Sequence, residues 1–319
     1  MKKFVLFAVI ISVLFLVAGA GLTAYAMHRK EFNSTMGKDV VKTYEFENFD
    51  DININVEISD ITITYVEGTK CVVECHEKEK VAHVVNVENN TLKVTQNDTR
   101  KWYQKIFNFN NKISADIKLP KNKYNNVVIK SSTGNLTINK GMTYEALELN
   151  SETGNVYLQS NVNSVTNVKT STGDVRIEEA EIKGLELTTS TGNVILKNLT
   201  LTDDISYLGS TGSISLTNVN MNNVKIEVST GDVSFDNSIA KGNLDVKTST
   251  GNITLTLSDA ANMKLKTSTG NVKGSILSDK VFTTKTSTGK QQVPASVSGA
   301  GTCDIETSTG NIIIEVKKA

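Results

Sequence analysis

The polar and apolar positions of this chain follow two regimes. After Lys2 and Lys3 a nearly unbroken apolar run extends from Phe4 to Leu22 and on to Met27. From residue 127 onward the pattern has period two, as in strands with one face in a core and one in water. Leu147 and Leu149, Leu185 and Leu187, Leu244 and Val246, and Met263 and Leu265 mark inward positions, with Glu148, Glu186, Asp245 and Lys264 between them. A shorter alternation follows at Val156 and Leu158, Val175 and Ile177, Val194 and Leu196, and Ile253 and Leu255.

A Thr-Gly pair separates the two alternations, at Gly134, Gly154, Gly173, Gly192, Gly212, Gly231, Gly251, Gly270, Gly289 and Gly310. The spacings are 20, 19, 19, 20, 19, 20, 19, 19 and 21 residues. A unit repeated at so constant an interval stacks on copies of itself. The interval from threonine to the next inward residue is three, so parity resets at the glycine and the chain turns a corner there. Glycine reaches positive φ without a Cβ penalty, and the Asn or Asp that usually follows it tolerates tight turns. A third, shorter apolar contact follows at Met142, Val162, Ile182, Leu199, Val219 and Ile239. These features predict an all-β fold, a β-solenoid or single-stranded β-helix of about ten regular coils. Threonine before each glycine, and Ser or Thr two residues earlier at Ser131, Ser151, Thr170, Thr189, Thr248, Thr267, Thr286 and Thr307, share the parity of the core. Both columns are therefore expected to point inward as stacked hydroxyls; turned outward, they would form a flat array suited to glycan or ice.

Residues 52 to 63 extend the pattern. With Ser59 laid on the repeat glycine, Ile52, Ile54, Val56, Ile61 and Ile63 fall into register and Asp60 takes the Asn/Asp corner. The expected organisation is residues 1–27 as a transmembrane anchor or signal, 28–43 as a tether, 44–126 as irregular leading coils and cap, and 127–319 as the regular solenoid. The apolar run is long enough to span a bilayer, which needs about 20 residues. Ala24-Tyr25-Ala26 also has the form of a signal-peptidase site. The first reading gives a single-pass membrane protein with an extracytoplasmic C-terminal domain; the second gives a secreted one. Residues 97 to 112 interrupt the pattern and carry Trp102, Tyr103, Phe107 and Phe109 beside Arg100, Lys101 and Lys105. They read as cover for the open end of the coils or as a partner-binding contact. The final strand, Ile312 to Val316, is expected to be an open edge capable of self-association.

Composition narrows the function classes. Thirty-four Lys+Arg balance 34 Asp+Glu, so no general electrostatic grip on nucleic acid is available. Three cysteines cannot close a disulfide framework, and Cys71 and Cys75 read as small buried hydrophobes. The region from 127 onward has no histidine and one arginine, Arg176, which leaves little for acid-base catalysis. Asp174 and Asp232 read as corner substitutes for Asn, and a metal site among His76, His83 and the nearby cysteines has the wrong spacing. No catalytic, cofactor or metal residue is assigned.

The N-terminal apolar segment, the Ile-x-Ile-x-Val leading coil, Lys118-Leu119-Pro120 and the repeated Ser-Thr-Gly-Asn/Asp-Val/Ile turns together resemble the putative-adhesin β-solenoid family of bacterial cell-envelope proteins. That resemblance, over residues 44–319, implies a β-helical surface protein with no agreed catalytic residues, some relatives being encoded beside envelope-stress signalling systems. The expected function is a non-enzymatic, membrane-tethered rod presenting a surface to cell-wall polymer or to a membrane or surface protein. The alternatives are a regulatory subunit of an envelope-stress sensor and a polysaccharide-active β-helix enzyme.

Overall fold

A computed structural model describes residues 37–102, 105 and 112–318. The predicted anchor, the tether up to residue 36, and Tyr103, Phe107 and Phe109 lie outside the described residues. Strands joined by parallel ladders wind as a β-solenoid of about ten turns. On the first face the threonines pair directly across rungs: Thr133 with Thr153, Thr153 with Thr172, Thr172 with Thr191 and Thr191 with Thr211. On the second face Leu136, Val156, Val175, Val194, Ile214, Val233, Ile253 and Val272 follow one another. All eight are at most 1% exposed, so the inward half of each alternation forms one continuous core along the axis. The leading coil takes the register expected from Ser59: Ile54 pairs with Ile129, Ile58 with Thr133 and Ile61 with Leu136.

The repeat glycines are required by contact as well as by conformation. Their φ values run from 134° to 155°, and a Cβ at Gly154 through Gly310 would stand 1.9 to 2.1 Å from the carbonyl oxygen of the neighbouring rung's glycine. The second corner lies six residues later, where Glu179, Asn198, Asn218, Asn237 and Leu257 all have φ between 45° and 55°. Asn218 Nδ2 donates to Asn198 Oδ1 at 2.9 Å, and Asn237 Nδ2 to Asn218 Oδ1 at 2.8 Å. Leu257 continues this column with a side chain that neither favours the left-handed region nor bonds its neighbour. Leu257→Asn should therefore raise stability by about 1 kcal/mol, read as a higher urea midpoint at unchanged slope.

Two sequence expectations are corrected at the ends. Asp39–Phe46 is a strand, antiparallel to Cys71–Lys78, so the tether stops before residue 39. Cys71–Lys78 and Val81–Glu88 run antiparallel to the rungs beneath them and close the N-terminal end as a hairpin, whereas Thr91–Asp98 and Ser114–Pro120 run parallel to the leading coil. At the C-terminal end the chain order reverses. Gly301–Thr309 pairs with Asp259–Thr269 on one side and with Lys280–Thr288 on the other. Ile312–Val316 likewise lies between Val272–Ile276 and Gln291–Gln292. The terminal edge is thus 280–292, and Ile312–Val316 is not the outermost strand. Val297 N–H donates to Lys280 O at 3.1 Å and Phe282 N–H to Ser296 Oγ at 2.9 Å, so the connecting loop occupies part of that edge.

Candidate binding surface

The first corner carries an unbroken side-chain ladder. Each rung's backbone N–H after the glycine donates to the side-chain oxygen of the rung before it. The series is Asp60, Asn135, Asn155, Asp174, Asn193, Ser213, Asp232, Asn252, Asn271, Asn311 and Lys290, joined by ten hydrogen bonds of 2.7 to 3.2 Å. Acceptor chemistry is therefore what this position selects, which Asn, Asp and Ser all supply. Lys290 has no side-chain acceptor and sits where no further rung follows. Asp174 and Asp232 are members of this ladder, each spending Oδ1 on the next rung's N–H.

The threonine before each glycine does not point inward. All ten are exposed, as is the serine before most of them, while the hydroxyl residue one position earlier is buried at Ser131, Ser151, Thr170, Thr189, Thr248, Thr267 and Thr307. Both residues before the glycine face out although the strand runs on through the threonine, so alternation fails one residue before the parity argument placed the reset. The inner column does point inward, and in the later rungs its hydroxyls bond main chain: Thr248 Oγ1 donates to Gly231 O at 3.1 Å, Thr267 to Gly251 O at 2.9 Å and Thr307 to Gly270 O at 3.0 Å, whereas Ser131 Oγ and Thr170 Oγ1 are buried without a hydrogen-bond partner. Gly209 interrupts this column because the Tyr207 hydroxyl fills its place, 2.8 Å from Thr189 Oγ1.

The outcome is a two-residue-wide band of hydroxyls along the first corner, repeating at the interstrand spacing of about 4.8 Å. Beside it a groove of about 470 Å³ crosses successive rungs, with Lys130, Ser132, Glu152, Lys169, Ser171 and Ser190 on its walls. A second cleft, of about 510 Å³ near the N-terminal end, includes Phe46, Asp50, Asn90 and Asn122. Its polar groups already serve one another: Asn90 Nδ2 donates to Asp50 Oδ2 at 2.9 Å and Asn122 Nδ2 to Asp50 Oδ1 at 3.4 Å. The groove beside the hydroxyl band is the more open to a ligand.

One constellation has the residue types of a hydrolase. His83 Nε2 lies 3.0 Å from Ser59 Oγ, and His83 Nδ1 lies 3.4 Å from Glu77 Oε2. Its chemistry is structural: Ser59, His83 and Glu77 are 2%, 2% and 3% exposed. The flanking N–H groups that would stabilise an oxyanion are consumed, Ser59 N–H by Thr133 O and Asp60 N–H by Ile113 O, both at 2.9 Å. The cysteines are buried and free, and burial pushes each thiol up to about 12, so none is a reactive thiolate.

Of the four aromatic residues assigned to a partner contact, Trp102 is described. It is 75% exposed, in a helical turn where Lys105 N–H donates to Lys101 O at 3.3 Å. Beneath it Arg100 grips Asp98 at 2.9 and 2.7 Å, and Lys105 reaches Asp98 at 3.1 Å and Glu57 at 3.2 Å. Burial raises the Asp98 carboxyl, but the hydrogen bonds from Arg100 and Lys105 outweigh it and hold it at about 2.

Solved structures share this architecture. A protein from Parabacteroides distasonis described as a putative lipid binding protein is 18% identical, with TM-score 0.50, over 75% of this chain and 97% of its own. A putative adhesin from the same species is 14% identical, with TM-score 0.51, over 75% of this chain and 98% of its own. At such identities the likeness shows the fold alone. A search of curated proteins finds no match. The family described as Toastrack DUF4097 matches residues 49–315, and the chain belongs to that family.

Proposed function

We propose that this protein is a non-enzymatic, membrane-tethered extracytoplasmic rod that holds cell-wall polymer along its first corner. The observation that carries this reading is the outward turn of all ten threonines, in register along one line. Hydroxyls both donate and accept, so a polymer of hydroxyl and amide groups can exchange its water for them at every rung. Lys130, Glu152 and Lys169 on the adjacent groove supply charges of both signs for a wall glycan bearing peptide carboxylates and amines. The description of a structural neighbour as an adhesin agrees with this role. The test is co-sedimentation of the full chain with insoluble peptidoglycan. Thr153→Val, Thr172→Val, Thr191→Val and Thr211→Val together should weaken binding severalfold and leave the melting temperature within a few degrees, because all four side chains face solvent. Undiminished binding by that variant would refute the hydroxyl band as the contact.

Trp102 favours a second reading, a regulatory contact with a membrane-embedded partner, because a large aromatic ring stands 75% exposed. Loss of signalling in Trp102→Ala with retained surface display would select it over the first.

A further inference from the structure

The last rung of the chain is the penultimate rung of the rod, and it arrives there after the rung that covers it. Three features of that slot bear on what can fill it. First, the contacts are those of every other rung. Asn311 N–H donates to Asn271 Oδ1 at 2.9 Å, Lys290 N–H to Asn311 Oδ1 at 2.8 Å, and Thr309 pairs with both Thr269 and Thr288. Second, the slot has a charge requirement. Lys247, Lys266 and Lys285 occupy one outward column, and Glu306 enters it between the last two, 2.6 Å from Lys266 and 3.8 Å from Lys285. Asp304 takes the matching place beside Lys264. Without residues 301–316, Lys266 and Lys285 would face each other across adjacent strands with no carboxylate between them, and like charges directly opposite are unfavourable. Third, the segment is joined to the rod by the loop 293–300, in which Ala295 to Gly299 are exposed.

We infer that residues 301–316 form an exchangeable rung, and that its partner is a second copy of this chain. The copy's 301–316 segment brings the same Asn311 acceptor, Glu306 and Asp304 to the same slot. Every bond within the slot is thereby kept in the exchanged rod; the 293–300 loop changes course and gives up its bonds to Lys280 O and Phe282 N–H. Equality of contacts is the thermodynamic condition for domain swapping, with the balance set by loop strain and protein concentration. The exchange joins two rods at their C-terminal ends. It uses an internal strand and leaves the partly covered terminal edge free, and it is independent of what the hydroxyl band binds.

The test is a cross-link that only an exchanged pair can form. One full-length copy carries Lys266→Cys and a differently tagged copy carries Glu306→Cys; both sites are on the outer surface, and each copy keeps all its buried contacts. The copies are refolded together at high concentration, oxidised, and separated under non-reducing conditions. A disulfide-linked heterodimer of the two tags, absent when the copies are refolded separately and then mixed, is the expected result. Monomers alone, or links only between two Lys266→Cys copies, would overturn the exchange. Refolding is carried out with reductant present, which is removed for the oxidation step only when the native thiols are buried again.

Discussion

Gly192→Ala should unfold the middle of the rod. The new Cβ would stand 2.0 Å from Gly173 O, a main-chain atom held in its own rung, and φ at this residue is 143°. The backbone conformation alone costs about 1–3 kcal/mol for a residue other than glycine. The overlap with the carbonyl must be relieved by separating two rungs, which takes the expected loss above about 4 kcal/mol, the range of severe core defects. Because each rung is stable only against its neighbours, the damage should spread. Amide exchange protection should fall on both the Gly173 and the Gly212 sides, and the denaturant midpoint should drop sharply. Gly184→Ala is the control. Its Cβ would meet nothing nearer than 3.3 Å, and its backbone is not in the left-handed region, so about 1 kcal/mol or less is expected. Equal losses at the two positions would mean that the rung contact is not what selects glycine.

The same contact explains how much of the fold was legible in advance. Glycine, an acceptor residue and a period-two alternation have local causes that repeat at each rung, so residues 127 to 276 and the leading coil around Ser59 follow from spacing alone. What spacing does not determine depends on long-range order. Asp39–Phe46 and the hairpin of Cys71–Lys78 with Val81–Glu88 have strand-like alternation, but nothing in it distinguishes antiparallel closure from another parallel rung. The reversed order of the last two rungs did leave a trace. Lys290 is the one member of the corner series without an acceptor, as a terminal rung permits, and in sequential order it would have left Asn311 N–H without its side-chain partner. Glu306 between Lys266 and Lys285 points the same way. The left-handed corner at Asn198, Asn218 and Asn237 also has a sequence mark, an asparagine six residues past each of the three glycines, which the apolar pattern does not carry. As for the candidate surface, parity correctly placed Thr248 and Thr267 inside, yet failed for Thr250 and Thr269, where two successive strand residues before the glycine both face out.

Glu77→Ala should destabilise the N-terminal end by about 1–3 kcal/mol, the usual consequence of leaving a buried donor without its acceptor. Glu77 Oε2 accepts His83 N–H at 2.6 Å and faces His83 Nδ1 at 3.4 Å, while its other oxygen pairs with Lys42. Alanine leaves the His83 N–H without an acceptor in a strand whose inward side chains are closed to water; Glu77→Gln, which can still accept that bond, should cost less. The pH response gives an independent readout. Burial lowers His83 below its ordinary value, and Glu77 opposes that shift by favouring the protonated ring. The unfolded chain therefore binds the His83 proton more readily than the folded one, so stability is full above about pH 6.5 and declines as pH falls below it. Removing Glu77 takes away the one nearby group that offsets burial, since Lys42 acts in the same direction as burial and Ser59 is neutral. The decline between pH 6.5 and 5 should then be steeper in Glu77→Ala than in the parent. A second acid step, common to both proteins, is expected from about pH 4 downward as Asp98, held at about 2 in the folded state, takes up its proton. Thermal melts from pH 8 to 3 resolve the two steps. An unchanged slope near pH 6 in the variant would show that His83 is not the group responsible for the first.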